Sequence, residues 1–145
     1  MGVCAEIVLF IYMRRLLKRY SLRHILLLSI ALAVGRWLTI AWCADQLGLL
    51  ILAQLLHAAT FGSSHATAIH LIHLYFGRRH QGKGQALYSS LSYGIGGMLG
   101  SLYSGYYWES IGPAFVYSAA AVACGVALVI AYLWIGFENT QHQPL

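Results

Sequence analysis

Five apolar runs separated by short links dominate this chain of 145 residues. They lie at residues 1–13, 25–42, 47–76, 86–108 and 113–137. A helix needs roughly 20 residues to cross a ~30 Å hydrocarbon core; the last three runs meet that length, and 25–42 just does. Only 9% of the residues are charged, too few to cover a soluble surface. The runs predict an all-α, polytopic membrane helix bundle with about five transmembrane helices, and they exclude a soluble enzyme.

The first run is shorter than a membrane span. As a helix, residues 1–13 would reach only about 20 Å. We expect this run to be the latter part of a helix that begins upstream of residue 1.

The basic residues predict the orientation of the helices. Eight of them lie in two links: Arg14, Arg15, Lys18, Arg19 and Arg23 in the first, and Arg78, Arg79 and Lys83 in the third. Lys and Arg are retained on the cytoplasmic side, so these links and the carboxy terminus are predicted to be cytoplasmic. Orientation also accounts for the net charge of +5. The predicted partner is therefore a lipid bilayer, and no nucleic acid is expected.

Arg36 is the remaining basic residue and lies inside an apolar run, in LAVGRWLTIAW. An ionisable residue at such a depth costs at least ~2.5–3.5 kcal/mol and indicates a functional role with a partner. Glu6 is the predicted partner, because it lies about 12 Å and Arg36 about 16 Å from the cytoplasmic edge of their helices. Two structural alternatives stay open: a buried ion pair that only locks packing, and an arginine that snorkels to the outer interface beside Trp37 and Trp42.

The third run carries four histidines: His57, His65, His70 and His73. At 100° per residue His57 and His65 lie about 80° apart, whereas His70 points to the other side and His73 lies nearer the cytoplasmic end. We predict that His57 and His65 line the bundle interior, where imidazole exchanges protons near neutral pH. His70 and His73 are predicted to lie near the membrane surface without a specific role. A purely structural hydrogen bond between helices is the alternative for each histidine.

A membrane iron or haem site on His65, His70 and His73 is a rival interpretation. It needs ligands from other helices that converge on one point. The other three histidines lie in links or the tail, and the three cysteines are widely spaced in apolar stretches. We therefore predict no metal site and no cofactor.

Small residues recur in the fourth run, where Gly96 and Gly100 form a GxxxG pair. Such a face favours close packing of membrane helices. We predict tight packing there, with a face that slides during a conformational cycle as the alternative. Tyr88 and Tyr93, at the start of this run, are predicted to belong to an interfacial aromatic belt, with a position facing a cavity as the alternative.

Several motifs occur together in a recognisable order. They are AEIVLF before a basic link, Gly-Arg-Trp, LLHAATFGSSHA, GKGQALYSSLSYGIGGMLGSL and the WESIG turn. In this order the whole chain resembles the carboxy-terminal half of a major facilitator superfamily transporter, most closely the 3-phenylpropionate permease-like branch and more distantly lactose permease. The resemblance implies a partial major facilitator fold over residues 1–145, with the five runs as the eighth to twelfth of twelve helices.

The resemblance also implies roles for individual residues. Glu6, Arg36 and His57 match the buried acid, arginine and histidine that serve proton coupling and sugar recognition in lactose permease relatives. Those relatives have a carboxylate three residues after the histidine, where this chain has Thr60, which cannot take a proton. Arg36 would suit the aromatic carboxylates that the 3-phenylpropionate branch handles.

The expected function is part of a secondary active transporter, a proton-coupled symporter for a small organic solute such as an aromatic carboxylate, working by alternating access. The site residues are expected to be Glu6, Arg36, His57 and His65, in a multi-pass protein of the bacterial inner membrane. Five helices cannot enclose a cavity, so transport is expected to need the missing amino-terminal helices or a partner chain. The alternative is a truncated, non-transporting membrane protein that packs with or regulates a full carrier.

Overall fold

The computed structural model describes Ile11 and residues 19–135. Nearly all of the first apolar run, including Glu6, and the carboxy-terminal tail lie outside the described residues. The elements are α1 (Leu22–Cys43), α2 (Leu47–His57), a π-helical turn (Ala58–Gly62), α3 (Ser63–Ser89), a second π-helical turn (Ser90–Ile95), α4 (Gly96–Ser110) and α5 (Pro113–Trp134). The described residues contain no β-strand, and the predicted all-α fold is confirmed.

Within the described residues, three helical stretches are long and apolar enough to cross a membrane: Leu22–Cys43, Leu47–Ser110 and Pro113–Trp134. The middle stretch has 64 residues. At ~1.5 Å per residue it would extend for about 95 Å, roughly three times the thickness of a hydrocarbon core. It is broken at Gly77, where φ is 61° and ψ is 172°. The two arms, 47–76 and 78–110, therefore each have the length of a separate crossing.

The arms fold back on each other as a helical hairpin near this break. A Cβ atom at Gly84 would lie 2.7 Å from Ile72 Cγ2, so only a glycine permits the approach seen there. The Gln85 side-chain amide donates a hydrogen bond to His73 Nε2 at 2.9 Å. His73, for which the sequence predicts no specific role, thus joins the two arms.

Replacing Gly77 by alanine is expected to destabilise the hairpin by about 1–3 kcal/mol, because its φ and ψ lie in a region that is essentially restricted to glycine. Reversible unfolding of the chain by sodium dodecyl sulfate in mixed micelles, followed by circular dichroism, measures this change. Gly82→Ala is the matched control, since a Cβ atom there meets nothing within 4 Å and the backbone is helical. Equal stabilities for the two variants would contradict the role assigned to Gly77.

Helix α1 is the centre of the bundle. It packs most extensively against α5, and also against α2, α3 and the turn Ala58–Gly62. Ser21 caps its first turn by accepting a hydrogen bond from the His24 amide at 3.3 Å. Polar side chains are buried alongside the apolar ones: Ser29, Arg36, Thr60, Ser63 and Thr67. Small and polar residues at helix contacts are typical of membrane bundles, whereas large apolar side chains face outward, as Trp134 does at 83% exposure.

The GxxxG face of α4 is not packed against another described helix. Cβ atoms added at Gly100 and Gly105 would meet nothing within 4 Å, and at Gly96 only the Leu91 carbonyl, at 3.3 Å. The predicted tight packing has no facing helix within residues 19–135 and stays a prediction. Small-residue spacing permits close approach, but it does not supply the facing helix.

Candidate functional site

Five ring-bearing side chains from the two arms of the hairpin form one cluster, which we call the histidine–aromatic cluster: His57, Phe61, His65, Tyr88 and Tyr93. Phe61 lies between the two histidines, with ring centroids 5.4 Å from His57 and 6.1 Å from His65. The planes differ by only 6° and 5°. The structure thus brings the two predicted histidines together through a stacked phenylalanine.

The π-helical turn Ala58–Gly62 explains why these rings align. In a regular α-helix, residues four apart drift by about 40°, which gives the predicted 80° between His57 and His65. A π-helical turn closes its hydrogen bonds over five residues and rotates less per residue. His57, Phe61 and His65, each four residues apart, therefore point in more similar directions than they would on a regular α-helix. The sequence GSS after Phe61 indicates a possible irregularity in this helix, but does not specify its kind.

Tyr88 and Tyr93 reach the cluster from the opposite arm. The Tyr88 hydroxyl lies 3.3 Å and the Tyr93 hydroxyl 3.1 Å from His65 Nδ1. The two tyrosines are five residues apart and would diverge by about 140° on an α-helix. The second π-helical turn, Ser90–Ile95, contains Tyr93 and reduces that divergence. From the sequence, both tyrosines were predicted to belong to an interfacial aromatic belt. That prediction did not include their contact with His65.

Either hydrogen-bonding role of His65 Nδ1 fits this arrangement. An Nδ1 without a hydrogen accepts a hydrogen bond from a tyrosine hydroxyl, whereas an Nδ1–H group donates to a hydroxyl oxygen. The contacts therefore do not depend on which ring nitrogen carries the hydrogen. Phe61 and Tyr93 are 42% and 47% exposed, so the cluster lies on an open face of the described bundle.

Arg36 belongs to a second set of contacts, between α1 and α5. It is only 7% exposed, and its guanidinium carbon lies 4.1 Å from the Trp37 ring centroid. Trp37 stacks on Tyr117 of α5, with centroids 5.6 Å apart. Cys124 of the same helix is within electrostatic range of Arg36. Cation–π contact and buried packing hold this side chain inward.

The Arg36 guanidinium retains hydrogen-bonding capacity. Its Nε has no hydrogen-bond partner within the described part of the chain. A buried polar group without a partner is costly, and an arginine is suited to binding a carboxylate through several N–H groups. Arg36 contacts Trp37, one of the two tryptophans that the snorkelling alternative names, whereas Trp42 is 72% exposed, so that alternative stays open. The pairing of Arg36 with Glu6 concerns a residue outside the described ranges and stays a prediction.

The Thr60 hydroxyl is buried and hydrogen-bonded to the backbone. Thr60 is 3% exposed, and its hydroxyl donates a hydrogen bond to the His57 carbonyl oxygen at 3.1 Å. The turn that carries Thr60 packs against α1, the helix of Arg36. The histidine–aromatic cluster and the Arg36 contacts are therefore on neighbouring elements, joined by the buried Thr60 turn.

No set of three or more His, Cys, Asp or Glu side chains within Ile11 and residues 19–135 is placed to hold a metal ion. His73 is hydrogen-bonded to Gln85 and His70 is exposed, while His65 contacts the tyrosines. The rival iron or haem interpretation therefore finds no converging ligands among these residues.

A bundle of long apolar helices that buries an arginine and gathers histidines and tyrosines on one face is that of a polytopic membrane protein. The chain belongs to the MFS_1 like family, whose model matches residues 1–119. It is 31% identical over 127 residues to a protein of Escherichia coli (strain K12) described as "Probable 3-phenylpropionic acid transporter". The predicted membership of the major facilitator superfamily, in the phenylpropionate permease-like branch, is confirmed.

The alignment with this relative covers 85% of the chain but 32% of the relative, so the chain spans about a third of that protein's length. No solved structure matches the chain.

Proposed function

We propose that the chain supplies the carboxy-terminal helices of a proton-coupled symporter for a small organic solute such as an aromatic carboxylate. The observation that carries the proposal is the histidine–aromatic cluster, in which His65 contacts two tyrosine hydroxyls and stacks on Phe61. Transport proceeds by alternating access, with the site near the midplane between two helical halves. The protein resides in the bacterial inner membrane with its carboxy terminus in the cytoplasm, and it needs the amino-terminal helices.

His65 is the proton-carrying group in this proposal. Imidazole titrates near neutral pH, and the Tyr88 and Tyr93 hydroxyls serve either protonation state. The chain lacks a carboxylate at position 60, so an adjacent acid does not take that role here. Glu6, with His57, is a further candidate for the same proton.

Two kinds of contact support this substrate class. Stacked rings offer flat faces to an aromatic ring, because offset and edge-to-face arrangements of rings are favourable. The Phe61 and Tyr93 rings are open to the outside of the described bundle. Arg36 offers the positive charge and N–H groups that a carboxylate requires. An aromatic carboxylate is complementary to both, and the described name of the relative supports the same class.

The test is a chimera in which this chain replaces the matching third of the Escherichia coli relative. In proteoliposomes we expect it to accumulate labelled 3-phenylpropionate when the outside is acidic, and a protonophore should abolish that accumulation. The chain alone should show no uptake. Accumulation that survives the protonophore would overturn proton coupling.

The chimera also distinguishes a role in transport from a role as a non-transporting regulator. A chimera that inserts and folds but does not transport, together with altered uptake by the intact relative when the chain is co-expressed, would overturn the proposal in favour of a non-transporting partner. Uptake by the chain alone would overturn the requirement for the amino-terminal helices.

A further inference from the structure

An apolar groove runs along the outside of the contact between α1 and α5; we call it the α1–α5 groove. One half of it, about 540 Å³, is lined by residues that include His24, Leu28 and Tyr132. The other half, about 550 Å³, includes Leu38 and Gly125. Val129 lines both halves, so they adjoin along the α1–α5 contact as one open groove.

The groove has the length of a lipid acyl chain. His24 and Leu38 mark its two ends on α1, and fourteen residues of helix span about 21 Å. One leaflet of a ~30 Å hydrocarbon core is about 15 Å thick, so a chain from a single leaflet fits along it. A Cβ atom at Gly125 would meet nothing within 4 Å, which keeps the floor of the groove deep.

Positive charge is concentrated at one end only. Arg23 donates a hydrogen bond to the Tyr132 carbonyl oxygen at 2.8 Å, and its guanidinium carbon lies 5.1 Å from the Tyr132 ring centroid. His24, the next residue, lines the groove itself. From this end to Leu38 and Gly125 the lining is apolar. A basic end followed by an apolar channel matches an anionic phospholipid and does not match a neutral apolar solute.

The groove is separate from the candidate transport site. Ala31 lines the groove, and Arg36 lies five residues further along α1, roughly 140° around the helix. A ligand in the groove would therefore contact the opposite side of α1 from the Arg36 guanidinium.

We infer that the α1–α5 groove binds an anionic phospholipid, with its phosphate at Arg23 and one acyl chain lying between α1 and α5 as far as Leu38. Lipid tails are as apolar as the groove. The groove therefore fits the acyl chain by its shape and selects the lipid by the charge at its basic end. The bound lipid would stabilise the packing of α5 on α1, the most extensive contact in the described bundle.

Native mass spectrometry of the delipidated full chain tests this, with palmitoyl-oleoyl phosphatidylglycerol and phosphatidylcholine as probes. We expect the anionic lipid to bind about fivefold more tightly, the effect of one basic residue near an anionic headgroup. Arg23→Gln should remove that preference, whereas Arg78→Gln, in the other basic link, should keep it. Equal affinities of the unaltered chain for the two lipids would overturn the inference without any variant.

A variant that fills the groove with a side chain tests the position of the acyl chain. Gly125→Leu should weaken phosphatidylglycerol binding by about tenfold, because the new side chain occupies the space of the acyl chain. Gly105→Leu is the control, since that glycine on α4 is also open and lies outside the groove. Equal binding by the two leucine variants, at unchanged helix content, would overturn the inference. So would a change from dimer to monomer in Gly125→Leu, because the groove would then hold a second copy of the chain.

Discussion

Arg36→Ala is expected to abolish uptake of 3-phenylpropionate by the chimera, by about 100-fold or more, while the protein still inserts. A hydrogen bond to a charged group contributes about 1.5–3 kcal/mol, and an arginine makes more than one to a carboxylate. Arg36 is 7% exposed and its Nε has no hydrogen-bond partner among residues 19–135, so this donor is unsatisfied within those residues. Initial rates of labelled uptake, normalised to inserted protein, measure the loss.

Two further variants separate binding from packing. Arg36→Lys keeps the charge but loses the planar fork, so partial uptake with a raised KM is expected. Thr39→Ala, one turn further along α1, removes only a hydroxyl that donates to the Gly35 carbonyl oxygen and should leave uptake unchanged. Normal uptake by Arg36→Ala would sink its assigned role. A loss of insertion in Arg36→Ala and Arg36→Lys alike would assign the residue to helix packing.

His65→Gln is expected to reduce proton-driven accumulation by about tenfold or more, because a glutamine side chain forms hydrogen bonds but does not titrate near neutral pH. Its amide can still bond the Tyr88 and Tyr93 hydroxyls. Exchange of labelled for unlabelled substrate without a proton gradient should therefore continue at a similar rate. Accumulation and counterflow, measured in the same proteoliposomes, report the two properties separately.

His70→Gln is the matched control, because His70 lies on the same helix but is exposed. It should change neither accumulation nor exchange. If His65→Gln accumulated substrate normally, the proton would have to be carried elsewhere, and His57 and Glu6 would be the groups to examine. A parallel loss of accumulation and exchange would indicate that His65 serves packing or substrate contact instead of coupling.

The helical class could be predicted from the sequence because hydropathy is a local property. Runs such as 113–137 are apolar at nearly every position, and α5 lies within that run. Arg36 was identifiable on the same basis, as a charge inside a span. His57 and His65 were identifiable as ionisable groups in an apolar helix. Their stacking on Phe61 was not, because a regular helical period of 100° per residue separates them.

The contacts that His65 makes depend on the turn at Gly77 and on local helix rotation, which the residue pattern does not specify. Tyr88 and Tyr93 contact His65 because Gly77 reverses the chain and the turn Ser90–Ile95 changes the helical rotation. A glycine in a basic link is compatible with many turn angles, and a π-helical turn has no strong sequence signature.

The membrane helix bundle could be predicted from the residues alone, because apolar length and charge placement are local features, and the superfamily could be predicted from the resemblance of motifs that occur in a set order. Which side chains meet depends on the tertiary structure. The histidine–aromatic cluster, the inward packing of Arg36 on Trp37 and the α1–α5 groove each join residues that lie on different helices or different turns. Their proximity follows from helix rotation and interhelical packing, which are fixed by backbone hydrogen-bond register and by the fit of whole helices.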